Sequence, residues 1–103
     1  MPEIALHSVL RAGRGEDYDA AHARIPDELV EAHRRVGIRD WRIWRRGDDL
    51  FHLVDCDDLP AAFRALEHDP ANERWQAVIG EYVERFDGEP LPLVWRMRDQ
   101  ALE

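Results

Sequence analysis

The apolar residues of this chain change period along its length, from two to three-and-four and back, and few folds accommodate that pattern. In residues 4–10, Ile4, Leu6, Ser8 and Leu10 share one face of an extended segment, and Ala5, His7 and Val9 the other. Gly13 and Gly15 mark a turn. From Glu16 the spacing becomes helical, with Tyr18, His22, Ile25 and Leu29 three or four apart. Pro26 interrupts that helix, because proline lacks an N–H and clashes with the preceding turn. Asp27 and Glu28 then suit a fresh start near the positive end of a helix dipole. Gly37 closes the second piece.

Residues 38–44 return to period two, with Trp41 and Ile43 on one face and Asp40, Arg42 and Trp44 on the other. A turn at Gly47 and a further strand, residues 50–56, complete a hairpin. Asp57 or Asp58 can cap a helix running to about His68. The stripe Trp75, Val78, Ile79, Tyr82, Val83 and Phe86 predicts one helix from Pro70 or Asn72 to Phe86. After the loop DGEPLP, residues 91–97 read as the fourth strand.

The order strand, helix, strand, strand, helix, helix, strand is the α+β, ferredoxin-like split β-α-β unit. Its helices cover one face of a four-stranded sheet. The open face calls for a partner, and a homodimer with packed sheets is the expected solution. Leu6, Leu93, Trp95 and the Trp41/Ile43 pair are candidates for that face.

At 103 residues the chain is expected to form a single domain, residues 1–103. A chain of this size buries only about 60–70% of its unfolded surface, so association helps it. The net charge of −8 argues against nucleic acid and anionic membranes, both of which call for basic patches. One cysteine, Cys56, allows no internal disulfide and no paired-cysteine metal motif. No signal peptide and no run of ~20 apolar residues is legible, so the cytoplasm is the expected location.

The histidines His7, His33, His52 and His68 lack HxH and HExxH spacing, so no metal is expected. Nucleotide-binding loops and a nucleophile elbow are likewise unsupported, and no cofactor is expected. Two features remain. Tyr18 and His22 lie one helical turn apart, placing a hydroxyl beside a group that exchanges protons near neutrality. Any amphipathic helix can also carry an aromatic and a histidine at its core boundary. Four tryptophans, Trp41, Trp44, Trp75 and Trp95, can either wall a pocket or fill the core and a dimer seam.

Taken in order, EDYDAAHARIPDEL, GIRDWRIW, LFHLVD and NERWQ resemble the L-rhamnose mutarotase family, over roughly residues 3 to 97. The resemblance implies a dimeric α/β barrel of ferredoxin-like units that interconverts the anomers of a deoxy-hexose such as L-rhamnose or L-fucose without a cofactor. Carried over by position, His22 matches the proton-donor histidine, and Tyr18 a sugar-contacting tyrosine. Trp41 falls on an aromatic that contacts the sugar, and Arg74-Trp75-Gln76 falls on Arg-Trp-Trp, whose tryptophans line the site. Two departures stand out: Pro26-Asp27 replaces Trp-Pro before the Glu-Leu, and Gln76 replaces the second tryptophan. A non-catalytic ligand-binding barrel is the alternative function.

Overall fold

The computed structural model describes residues 2–102; the first and last residues of the expected domain lie outside it. The elements are β1 (Glu3–Leu10), α1 (Gly15–Ala21), α2 (Asp27–Arg35), β2 (Ile38–Arg46), β3 (Asp49–Cys56), α3 (Leu59–Leu66), α4 (Pro70–Ile79) and β4 (Val83–Asp87). They form a four-stranded sheet of order β2-β3-β1-β4, antiparallel throughout. This is the α+β, ferredoxin-like arrangement.

Local chemistry accounts for the breaks. Pro26 stands at the N-cap of α2, with Asp27 and Glu28 in the first turn, so the helix restarts there. Gly37 and Gly47 take positive φ of 96° and 59° after α2 and in the hairpin turn, a conformation that costs glycine little. The side chain of Asp58 accepts from the N–H of Ala61 at 3.1 Å, and that of Asp69 from Ala71 at 2.9 Å. Each cap is followed by a proline in the first turn of its helix.

Helices and sheet enclose two apolar clusters. One gathers Leu6, Ala32, Ile38, Val54, Cys56, Leu59, Ala62 and Leu66; the other gathers Leu10, Tyr18, Leu50 and Ile79. Between them, on the same sheet face, stand two buried polar residues. Ser8 interrupts Leu6 and Leu10 on β1, and His52 interrupts Leu50 and Val54 on β3.

The C-terminal part corrects the expected pattern. The helix expected to reach Phe86 ends at Ile79, and the fourth strand is Val83–Asp87 rather than residues 91–97. A β-bulge is the physical reason for the difference. Val9 pairs with Arg85 and Leu10 with Val83, so Glu84 is an extra residue on β4. The bulge puts Val83 and Phe86, three apart, on one face, which imitates helical spacing. Residues 91–97 begin beside β1 through one bond, the Leu91 N–H to the Ala5 carbonyl at 2.7 Å. Pro90 and Pro92 flank that bond and have no N–H to extend a ladder.

The open sheet face also differs from expectation. Leu6 is fully buried under the helices, and Trp41 and Ile43 pair with Val54 and His52 on that same covered face. Leu93 and Trp95 lie beyond β4, 77% and 62% exposed. The uncovered face instead carries His7 and Val9 from β1, Trp44 from β2, and Phe51 and Leu53 from β3. His7 there bonds Asp49 at 2.9 Å and Asp87 at 3.2 Å. These carboxylates, Asp49 foremost, hold its pKa above the usual imidazole value.

Candidate active site

Between the helices and the inner sheet face lies a cavity of about 720 Å³. Tyr18, His22, Trp41, Trp75 and Gln76 all border it. They come from α1 and its end, from β2, and from α4, so the fold gathers side chains far apart in sequence.

His22 follows the last residue of α1 as its C-cap. Its Nδ1 lies 2.9 Å from the carbonyl oxygen of Tyr18. A carbonyl only accepts, so Nδ1 carries the proton and donates. The lone pair of the neutral ring is therefore on Nε2. The Tyr18 ring stacks on the imidazole at 3.9 Å between centroids, and Trp75 meets it edge-on at 5.0 Å. Burial holds the His22 pKa below the usual imidazole value, opposed by the Tyr18 carbonyl bond and the charge of Asp19. The ring is thus neutral and basic at pH 7. Burial also pushes the Tyr18 phenol well above its usual value, so its hydroxyl keeps its proton.

Trp75 is set by its helix: Arg74 bonds Glu28 at 2.6 Å and ties α4 to α2. Both partners are exposed, so the pair contributes at most about 1 kcal/mol; its value is positional. Gln76 is exposed at the rim, with its amide 3.5 Å from Asn72 Oδ1.

Trp41 is half-buried and donates its indole N–H to Nδ1 of His52 at 3.1 Å. His52 Nε2 in turn lies 2.9 Å from Ser8 Oγ. Burial, with help from the charges of His22 and His7, lowers the His52 pKa to about 4. Ser8 and His52 border the same cavity. Neither is among the site residues expected from the sequence, His52 standing only as an alternative to His22. Their signal was available: each is a polar residue at an inward position of an otherwise apolar alternation. His7 is on the opposite face of the sheet and does not reach the cavity.

Among the described residues, no group of three or more His, Cys, Asp or Glu is placed to hold a metal ion, and no helix is long and apolar enough to cross a membrane.

Residues 3–99 match the family model described as L-rhamnose mutarotase. The chain is 46% identical over 68 residues to the L-rhamnose mutarotase of Paraburkholderia phytofirmans, covering 58% of this chain and 64% of that protein. It is 46% identical over 73 residues to the protein of the same name in Paraburkholderia xenovorans, covering 71% and 62%. The matched stretches thus span less than two thirds of the length of these two relatives. Among solved structures, the L-rhamnose mutarotase of Formosa agariphila superposes with a TM-score of 0.77 at 16% identity, over 94% of this chain and 99% of that one. At that identity the superposition speaks for the fold. The match to the family model spans nearly the whole chain, and the chain belongs to the L-rhamnose mutarotase family.

Proposed function

We propose that this protein is an aldose mutarotase that interconverts the anomers of L-rhamnose or a related deoxy-hexose such as L-fucose, with His22 as its acid/base group. The observation that carries this reading is the fixed tautomer of His22 in the cavity, with Nδ1–H tied to Tyr18 and Nε2 free as a base. Ring opening needs one proton to leave the anomeric hydroxyl and one to reach the ring oxygen. Nε2 takes the first, the bond between the anomeric carbon and ring oxygen breaks, and the imidazolium returns the proton to the ring oxygen. The open-chain aldehyde rotates and closes on its other face by the reverse transfers. The proton count balances with one imidazole. Tyr18, Trp41 and Trp75 supply the aromatic walls against which a sugar packs. Saturation-transfer NMR of anomeric exchange tests the reading across L-rhamnose, L-fucose and related sugars. Acceleration of at least one is expected. Binding without acceleration would instead identify a ligand-binding module.

Gln76 is the proposed selector at the cavity rim. An indole offers a broad apolar face and one donor; an amide offers two donors and an acceptor and little face. Sites that bond a hydroxyl discriminate more sharply than apolar pockets do over a methylene. The ring's hydroxyl pattern is therefore expected to matter more than its deoxy position, favouring L-fucose over L-rhamnose. Gln76→Trp should shift preference back toward L-rhamnose. Identical preference profiles for the two proteins would remove Gln76 from the selection.

The proposed partner is a second copy. Trp44 and Phe51 are exposed on the uncovered sheet face, and Leu93, Val94, Trp95 and Met97 are exposed on the segment after β4. A stable interface would cover about 1,200 Å² or more in total. Sedimentation at micromolar concentration should give a dimer; a monomer there would exclude the packed-sheet barrel.

A further inference from the structure

Three side chains form one directed row across the cavity floor. The indole Nε1 of Trp41 can only donate, so Nδ1 of His52, 3.1 Å away, must accept. The neutral ring then has its proton on Nε2. That N–H points at Ser8 Oγ, 2.9 Å away, and the serine oxygen accepts it. The chain of donation therefore runs Trp41 to His52 to Ser8. The row has one unspent donor at its end, the Ser8 hydroxyl proton. Among the described residues, Ser8 Oγ has no side-chain partner other than His52.

The placement of this row is costly for a strand interior. Ser8 is 1% exposed and His52 5% exposed, each between leucine or valine neighbours on its strand. Both ring nitrogens of His52 are engaged, but a buried hydroxyl whose proton has no acceptor is unfavourable. Both residues border the cavity that holds His22. A sugar is rich in acceptor oxygens and matches the one donor left over.

We propose that Ser8 is a sugar-binding residue of this site, its hydroxyl donating to a substrate oxygen, with His52 and Trp41 as positioning residues that fix the direction of that donation. The proposal rests on the mutarotase reading and adds a polar floor opposite the aromatic walls. It also gives Trp41 a second task, since its indole N–H is committed to His52 and only its ring face remains for the sugar.

The test uses L-rhamnose, the intact chain, and the variants Ser8→Ala and Trp41→Phe. In the wild type, ¹⁵N NMR of the imidazoles should report His52 protonated on Nε2 and bare on Nδ1. Adding sugar should shift the Nε2 signal more than that of Nδ1. Ser8→Ala should raise KM about three- to tenfold with kcat nearly unchanged, the signature of binding lost equally from ground and transition states. Trp41→Phe should leave His52 as a mixture of tautomers. A wild-type KM in Ser8→Ala, or no sugar-dependent shift at His52, overturns the role of Ser8. A pure Nε2–H tautomer in Trp41→Phe overturns the positioning role of Trp41. A wild type that accelerates no sugar sinks the mutarotase reading, and this proposal with it. An active wild type beside an indifferent Ser8→Ala sinks this proposal alone.

Discussion

Replacing His22 with alanine is expected to slow anomeric exchange by about 10²–10⁴ while leaving the fold intact. The imidazole is half-buried at the end of α1, and the backbone N–H of residue 22 still caps the helix through the Tyr18 and Asp19 carbonyls. Only the side-chain bond to Tyr18 and the stacking on its ring are lost. Among the histidines bordering the cavity, His52 has both ring nitrogens engaged, and His33 packs against Trp41 at 5.7 Å. The pH profile gives a second readout. Burial lowers the His22 pKa, so its basic form persists below the usual imidazole midpoint of 6.5. As pH falls through that depressed value the ring protonates and kcat/KM should drop. A wild-type exchange rate in His22→Ala, or an acid limb centred above pH 6.5, would show that another group carries the proton.

The second large effect is on stability. His52 titrates near 6.5 in the unfolded chain and near 4 in the fold. The folded state therefore binds fewer protons than the unfolded state between those values. Its contribution is complete above pH 6.5 and is lost as pH falls through the window down to about 4. A shift of this size corresponds to roughly 3 kcal/mol at the acid end. His52→Phe has nothing to titrate there and retains the ring volume, though Trp41 and Ser8 lose their shared partner. Urea unfolding of both proteins from pH 7.5 to pH 4 isolates the difference. Other titrating groups, including His22 and His33, are common to both. The wild type should lose roughly 3 kcal/mol more than the variant over that range. Parallel curves would mean that His52 is as solvated in the folded protein as in the unfolded one.

Much of this molecule was legible in its sequence because the relevant forces are local. Alternating apolar residues specify a strand one of whose faces is buried, and that pattern identified β1, β2 and β3 and which of their residues share a face. Proline and acidic caps located the starts of α2, α3 and α4. Tyr18 and His22 could be paired because a helix brings residues four apart onto one face. The C-terminal third resisted for an equally physical reason. A bulge opposite Val9 and Leu10 gives β4 a three-residue spacing that a sequence cannot distinguish from a helix. Whether Val83 to Asp87 coils or extends is decided by the free edge of β1, which offers it backbone partners. The same holds for the face assigned to Leu6, since alternation says which residues lie together but not which side the helices cover. Above all, the row Trp41, His52 and Ser8 joins three strands across 44 positions of sequence. Each member alone is an ordinary residue; only strand pairing brings their donors and acceptors within reach and fixes the direction of the bonds.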